Sequence, residues 1–129
     1  MMSKIVFYDQ KMEITVKNGM VVYCYGELMY VIYDAPYCYL YFADKTKYFI
    51  QVSLQYLMDN LPETTFFRCN RSAIINVGYY KGFRTKPPVV VIDDKEFNLS
   101  RSNVKDFIRM KNNFIRTSSV STQCSKKTE

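Results

Sequence analysis

The sequence lacks histidine and tryptophan altogether and has only four glycines in 129 residues. Without histidine, the side chain that most often serves as a general base is missing. There is also no G-x-S-x-G nucleophile elbow and no Gly-rich phosphate loop. Since the usual groupings of catalytic residues are absent, we predict that the chain is not an enzyme.

Metal-binding patterns are equally scarce. The four cysteines stand at positions 24, 38, 69 and 124, and no two of them form a C-x-x-C pair. A zinc site would therefore lack both its usual spacing and its usual histidine partners. The one adjacent pair of carboxylates, Asp93 and Asp94, lies between two strand-like runs, where aspartate favours a turn. The sequence predicts no metal site and no cofactor.

Long hydrophobic runs are missing too. A membrane-spanning helix needs about 20 apolar residues, and the apolar runs in this chain are far shorter. The first residues lead directly into a strand-like alternation without the apolar core of a signal peptide. We therefore expect no membrane segment and a cytoplasmic location.

Aromatic residues and alternating patterns, by contrast, are abundant. There are twelve tyrosines and nine phenylalanines, which suit the half-buried surface of a sheet. Residues 11–17 alternate strictly, and Asn18-Gly19 predicts a tight type I′ turn after them. Further strand-like runs are expected at 20–25, 28–33, 37–42, 48–52, 66–69, 73–76, 79–84, 89–92 and 97–99. The predicted fold class is mainly β, built from antiparallel strands.

Two helices interrupt the strands. Ser53 can cap a short middle helix that Pro62 ends. A C-terminal helix is expected after Ser100 or Ser102, with lysines and arginines outward (Lys105, Arg109, Lys111) and apolar residues inward (Val104, Phe107, Ile108). From residue 117 onward the composition is polar and offers nothing to bury. We predict a lead-in strand at 1–9, one domain at 10–116 and a disordered tail at 117–129.

The net charge of +6 is unevenly distributed. Residues 1–67 contain five Lys/Arg and seven Asp/Glu, whereas residues 68–117 contain eleven Lys/Arg and four Asp/Glu. A basic half favours a polyanionic partner, because cations that neutralise phosphates release counterions. A solvated basic face would give the same count, so charge alone leaves both interpretations open.

Residues 66–76 carry the clearest functional pattern. Arg68, Asn70, Arg71 and Ser72 interrupt an apolar strand that resumes afterwards. Arginine and asparagine can read guanine and adenine edges in a major groove, and serine can donate to phosphate. The alternative is that the arginines are outward charges that protect an edge strand from aggregation.

A second polar cluster, residues 100–103, opens the last helix. Free N–H groups at a helix start favour a phosphate oxygen, and from this position Arg101 could reach either the DNA backbone or a base edge. Simple helix capping by the serines explains the same residues on local grounds.

Two other functions remain open on the residues alone. One is a β-barrel module that binds single-stranded nucleic acid on a platform of tyrosines at alternate positions: Tyr23, Tyr25, Tyr39 and Tyr41. The other is a protein-interaction module whose exposed strands pair with a partner and which does not bind DNA.

The sequence resembles the LytTR family of bacterial transcriptional regulators. The family pattern F-F-R-[IC]-H-[RN]-S-x-[IV]-[IV]-N is similar to F-F-R-C-N-R-S-A-I-I-N at residues 66–76. Residues 28–41, residues 48–61 and the F-N-L-S-R segment at 97–101 also look like family elements. The resemblance covers residues 10–112.

The resemblance implies an elongated stack of small antiparallel β-sheets whose loops enter successive major grooves of duplex DNA. The implied loops are residues 34–37, the pair Asn70 and Arg71, and the pair Arg101 and Ser102. The DNA-binding residues expected from the two lines of reasoning are Tyr37, Arg68, Asn70, Arg71, Ser72, Arg101 and Ser102. This chain departs from the family at Asn70, where histidine is usual.

The resemblance also implies partners. A regulator of this type is expected to bind direct-repeat promoter sites, to self-associate on DNA, and to act without catalysis. Family members, like other response regulators, typically carry a receiver domain before this module, whereas this chain begins about ten residues before the match. We therefore expect no receiver domain here, and a separate sensor or regulatory protein as one possible means of control.

Overall fold

The computed structural model describes residues 3–118 of the chain and the side chains of residues 3–115. Within these residues the chain forms eleven strands, two helices and three short 3-10 turns. The strands are β1 (Lys4–Phe7), β2 (Lys11–Val16), β3 (Gly19–Cys24), β4 (Leu28–Asp34), β5 (Tyr37–Phe42), β6 (Lys47–Ile50), β7 (Phe66–Asn70), β8 (Ala73–Asn76), β9 (Tyr80–Thr85), β10 (Pro88–Ile92) and β11 (Lys95–Asn98). The helices are α1 (Leu54–Asn60) and α2 (Val104–Ser118), and the 3-10 turns are Tyr25–Glu27, Val77–Tyr79 and Arg101–Asn103. The prediction of a mainly β fold with a middle and a C-terminal helix is confirmed.

The N-terminal sheet has the strand order β1-β2-β3. The predicted hairpin is present, but Val16 pairs with Gly19, so the turn residues are Lys17 and Asn18. The type I′ assignment is wrong: among non-glycine residues of the described chain, only Lys45 and Asp93 have positive φ. Gly19 instead adopts φ 156° as the first residue of β3. Such a backbone strains other residues, so the glycine is needed one position after the turn.

The central sheet has the strand order β6-β5-β4-β8-β7 and is antiparallel throughout. Helix α1 connects its two edge strands. As predicted, Ser53 caps this helix, and its Oγ accepts a hydrogen bond from the backbone N–H of Tyr56 at 3.0 Å. The hairpin of β7 and β8 contains the polar cluster at 68–72, and the C-terminal residue of β7 is Asn70.

The C-terminal sheet has the strand order β11-β10-β9 and packs with α2. Phe107 of α2 is fully buried against the rings of Phe67, Tyr80 and Phe83. The prediction that Ile108 faces inward is wrong, because its side chain is 37% exposed. Lys111 is half-buried: its Nζ lies 5.6 Å from the centre of the Tyr80 ring and donates to the Asn112 Oδ1 at 2.9 Å in an exposed hydrogen bond. Val104 and Phe107 contact the second core, and position 108 lies at the edge of this inward face.

Both faces of the central sheet are covered. One face meets the N-terminal sheet and α1 in a first core that includes Met12, Ile14, Tyr23, Val31, Leu40, Leu57 and Ile74. The other face meets the C-terminal sheet and α2 in a second core that includes Ala73, Ile75, Val90, Ile92, Phe97 and Phe107. Burial of apolar surface contributes about 25 cal/mol per Å², so the two cores fix the central hairpins from both sides.

The connections of the sheets gather at two opposite ends. The loop end consists of residues 34–37, 70–72, 85–88 and 99–103. The distal end consists of residues 25–27, 43–46, 77–79 and 93–94. At the distal end the Ala43 N–H donates to the Glu27 carbonyl at 2.9 Å, and the Tyr79 hydroxyl donates to the Gly26 carbonyl at 2.7 Å. These hydrogen bonds join separate connections of the distal end to one another.

Asn76 ends β8 at the distal end and is 1% exposed. Its Oδ1 accepts a hydrogen bond from the Gly78 N–H at 2.7 Å, which confirms the predicted role in a turn. Its Nδ2 also donates to the Leu28 carbonyl at 2.8 Å. The amide thus joins a local turn to the start of β4.

The tail predicted at 117–129 is only partly described. Helix α2 continues through Ser118, two residues into that range. Residues 119–129 lie outside the described residues, and the prediction for them stays a prediction.

Candidate nucleic-acid interface

The loop end brings together the three segments on which the sequence analysis centred. The Tyr33 N–H donates to the Ser72 carbonyl at 2.8 Å, which joins the β4–β5 turn to the β7–β8 turn. The Ser100 N–H donates to the Cys69 carbonyl at 3.0 Å, which joins residues 99–103 to β7. The three segments therefore lie side by side, with the β7–β8 turn in the middle.

Asn70 shapes this middle turn. Its Oδ1 accepts a hydrogen bond from the Ser72 N–H at 2.8 Å, and its Nδ2 donates to the Asn98 carbonyl at 2.6 Å. The first bond is the local turn that asparagine commonly forms. The second fastens the turn to the C-terminal sheet. Both polar atoms of this side chain are thus engaged within the protein.

The side chain of Arg68 also holds this turn, through the backbone carbonyls of the turn. Its Nε lies 3.4 Å from the Asn70 carbonyl, and its Nη2 donates to the Arg71 carbonyl at 3.2 Å. The side chain is half-buried. A guanidinium offers five N–H donors, and here at least two of them point at backbone carbonyls. Arg68 therefore belongs with the residues that hold the turn.

Arg71 and Ser72 are the two turn residues, and both are exposed. The ion pairs found among the described side chains join Lys81 to Asp93, Arg84 to Glu96 and Arg109 to Asp106. Arg71 takes part in none of them, so its guanidinium is presented to solvent from a turn that other residues fix.

The third segment presents Arg101 and Ser102, which are also exposed and form the start of the 3-10 turn Arg101–Asn103. Asn103 anchors this turn, because its Nδ2 lies 3.3 Å from the Arg68 carbonyl and 3.5 Å from the Cys69 carbonyl. The side chain of Ser100 makes no capping hydrogen bond. A capping hydrogen bond therefore does not account for Ser100.

Tyr37 begins β5 in the first segment and is half-buried. Its ring packs edge-on against Phe49, with the ring centres 5.1 Å apart. The neighbouring Asp34 is exposed and adds the one carboxylate of the loop end. This segment is therefore the least basic of the three.

Sequence reasoning missed two residues that build the site. Asn98 contributes its backbone carbonyl, which no side-chain pattern could indicate. Asn103 lies in the polar cluster at 100–103, and its amide holds β7 instead of facing solvent. Both act through contacts about 30 residues apart in sequence, which short-range patterns do not report.

The thiol beneath the turn is inert. Cys69 is fully buried, and burial raises the pKa of its thiol to about 12. Its Sγ donates to the Ala73 carbonyl at 3.7 Å. Burial likewise raises the pKa of Cys38 to about 11. Neutral, buried thiols pack as small hydrophobic groups.

The tyrosines considered as a stacking platform do not share one open surface. Tyr23 and Tyr25 are buried in the first core, where Tyr23 stacks on Phe42. Tyr39 and Tyr41 lie half-buried on the opposite face of the central sheet. A base could not reach the first pair without opening the core.

Metal-binding clusters and membrane-spanning helices are both absent from the described part of the chain. Residues 3–118 contain no cluster of three or more His, Cys, Asp or Glu side chains able to hold a metal ion. Neither helix of this part has the length and apolar character needed to cross a membrane.

Comparisons with known proteins bear on the family and the fold of the chain. A family model, the LytTr DNA-binding domain, matches residues 18–112. A solved structure with a TM-score of 0.68 is the LytTr DNA-binding domain of a Bacillus cereus protein described as a methyl-accepting/DNA response regulator. It is 20% identical, and the alignment covers 80% of this chain and 97% of that chain, so it supports the fold alone. A comparison with curated proteins found no match. Since the family match spans most of the chain, the protein belongs to the LytTR family of DNA-binding domains.

Proposed function

We propose that the protein is a transcriptional regulator that recognises specific sequences of duplex DNA with its loop end. The observation that carries this proposal is the pair of exposed arginines, Arg71 and Arg101, on adjacent segments that intramolecular hydrogen bonds hold in place. A guanidinium can donate two hydrogen bonds to the O6 and N7 atoms of a guanine in the major groove. Arg71 and Arg101 are the proposed reading residues.

The residues around them have a different role. Asn70 and Arg68 direct their polar atoms to backbone groups of the β7–β8 turn. Such bonds are formed before DNA arrives, which lowers the entropy cost of binding. Asn70 is therefore proposed to shape the turn, and Arg71 to contact the base. This assignment differs from the expectation that Asn70 itself reads adenine.

Hydroxyl groups surround the two arginines. Ser72 and Ser102 are exposed beside them, and the phenol of Tyr37 stands in the first segment. Hydroxyls commonly donate to phosphate oxygens, and these contacts fix register without reading sequence. Ser72, Ser102 and Tyr37 are proposed to bind the DNA backbone.

Two reading residues suggest a repeated site. A bidentate contact discriminates against a wrong base by about 1–3 kcal/mol, whereas specific recognition usually exceeds non-specific binding by about 4–10 kcal/mol. A second copy on the next helical turn would double the number of readers. We propose direct-repeat promoter sites with centres about 10 base pairs apart, on which copies of the chain associate. Selection of bound duplexes from a random pool would reveal the repeat, and a single uninterrupted half-site would contradict it.

Replacement of Arg71 by alanine tests the reading role. We expect Arg71→Ala to lower affinity for the selected duplex by about 1–3 kcal/mol and to relax the preference at one base pair. Arg71→Lys should restore the charge but not the preference, because lysine lacks the fork of donors. Titration of labelled duplexes with single base changes measures both effects.

Lys45 provides the matched control, because it is an exposed cation at the distal end. Lys45→Ala should leave selectivity unchanged. If the wild-type protein bound the selected duplex and a scrambled duplex equally well, the proposed function itself would be wrong.

The proposal also covers how the activity of the protein is regulated and where in the cell it acts. The protein is proposed to act without catalysis, in the cytoplasm, where bacterial DNA lies. A separate sensor or regulatory protein is proposed to set its activity. If the purified chain alone bound its selected site with a Kd in the usual specific range of about 10⁻⁸ to 10⁻¹¹ M, no such protein would be needed for binding.

A further inference from the structure

A fourth segment stands at the loop end beside Arg101. The Leu99 N–H donates to the Pro88 carbonyl at 3.0 Å, which ties residues 99–103 to the β9–β10 turn. Between them lies an open groove of about 550 Å³, lined by Thr85, Lys86, Pro87, Pro88 and Arg101. The backbone hydrogen bonds therefore order the loop end as a row: the β4–β5 turn, the β7–β8 turn, residues 99–103 and the β9–β10 turn.

The lining of this groove is suited to an anion. It contains two cations, Lys86 and Arg101, the hydroxyl of Thr85, and no carboxylate. Neither cation takes part in the ion pairs found among residues 3–115. The neighbouring Arg84 differs, because its Nη1 and Nη2 each lie 3.0 Å from a carboxylate oxygen of Glu96. The positive charge next to the groove is thus neutralised, whereas the charge inside it is not.

The turn that carries Lys86 is stiff. Pro87 and Pro88 follow it directly, and a proline ring fixes φ near −65°. Prolines also have no N–H to offer an anion, so the donor side chains of this groove are those of Thr85, Lys86 and Arg101. A single lysine with a hydroxyl holds a free anion weakly. A duplex already bound by the neighbouring segments would present its phosphates there at a high effective concentration.

We propose that this groove binds a backbone phosphate of the same duplex, which makes the β9–β10 turn a fourth DNA-contacting segment. Lys86 supplies the charge, Thr85 a hydroxyl donor, and Arg101 lies between this contact and the base edges. The inference rests on the proposed function, since it requires that a DNA duplex is bound by the neighbouring segments of the loop end. It adds affinity that does not depend on sequence.

The test compares Lys86→Gln with the wild type in the full chain. Each phosphate contact contributes about 0.9 to the slope of log affinity against log salt. We expect the slope for Lys86→Gln to be smaller by about 0.9, so that the affinity ratio to wild type changes about threefold between 50 and 200 mM salt. The loss should be equal for the selected duplex and for scrambled ones. Lys95→Gln is the matched control, because Lys95 begins β11 opposite Ile92, at the distal end of the hairpin, and the variant should keep the wild-type slope.

Mapping with neutral linkages identifies the phosphate. A methylphosphonate is placed at one position of the selected duplex at a time. At the linkage that contacts Lys86 it should weaken the wild type and leave Lys86→Gln unaffected, whereas linkages contacted by the other segments should weaken both proteins. If Lys86→Gln kept the wild-type slope, or lost affinity at every linkage at which the wild type does, the fourth segment would be excluded. Absence of wild-type binding to any duplex would instead refute the proposed function.

Discussion

Asn70 and Asn76 stand at opposite ends of the β7–β8 hairpin and use their amides in the same way. Each Oδ1 accepts a hydrogen bond from the N–H two residues later, and each Nδ2 donates to a backbone carbonyl of a distant strand. They differ in their surroundings, because Asn76 is 1% exposed whereas Asn70 borders the exposed Arg71. The same device therefore stabilises the fold at one end and shapes a presented turn at the other.

Charge separates the two ends as well. The loop end carries the cations Arg71, Lys86 and Arg101 and one carboxylate, Asp34. The distal end carries one lysine and four carboxylates: Glu27, Asp44, Asp93 and Asp94. The field of such a molecule favours approach of a polyanion with the loop end first. The turns of the two ends are similar in length, but the cationic loop end is suited to bind a polyanion, whereas the acidic distal end is not.

The largest effect is expected for Asn76→Ala. The substitution removes a buried hydrogen bond to the Leu28 carbonyl and a part-buried one from the Gly78 N–H, which should lower the free energy of unfolding by about 2–4 kcal/mol. Urea denaturation followed by circular dichroism measures the change. Asn98→Ala is the control, because it removes an exposed amide and keeps the backbone carbonyl, and it should change stability by less than about 0.5 kcal/mol. Equal destabilisation by both variants would erase the contrast between buried and exposed amides.

Asn70→Ala should affect DNA binding at least as much as stability, in contrast to Asn76→Ala, whose main effect is on stability. Its two hydrogen bonds are partly exposed, so the loss of stability should be about 1 kcal/mol. Affinity for the selected duplex should fall by at least as much, because the turn presenting Arg71 loses its link to the Asn98 carbonyl. Denaturation and duplex titration on the same samples separate the two quantities. A variant with normal affinity and lower stability would show that Asn70 acts like Asn76.

The smallest effect concerns the lone carboxylate of the loop end. Asp34→Asn should raise non-specific affinity about threefold at low salt, because it removes a repulsion from phosphates. Asp94→Asn makes the same change in charge at the distal end and should shift affinity far less. Titration of a scrambled duplex at two salt concentrations measures both. If the two variants gained affinity equally, net charge and not its placement would govern binding.

Sequence reasoning recovered what local chemistry determines. The turn at Asn76 and the cap at Ser53 followed from bonds that span two or three residues. The long-range hydrogen bonds of the two amides could not be predicted. Asn70 donates to the Asn98 carbonyl, 28 residues away, and Asn76 donates to the Leu28 carbonyl, 48 residues away.

Small shifts of register also escaped prediction. Placement of the first turn at Lys17 and Asn18, one residue before the predicted position, depends on how β2 pairs with β3. Exposure of Ile108 depends on where α2 rests on the second core. In both places the sequence pattern fits two neighbouring positions almost equally well, and tertiary packing selects one of them.

The link from Asn70 to Asn98 has a consequence for synthesis. A chain leaves the ribosome from its N-terminus, so Arg71 emerges well before the carbonyl that shapes its turn. Ser100 and Asn103, which anchor the next segment to β7, come later still. The DNA-facing end is therefore completed only after residue 103 has been synthesised, and a nascent chain that stops short of residue 98 carries Arg71 without the contact that shapes its turn.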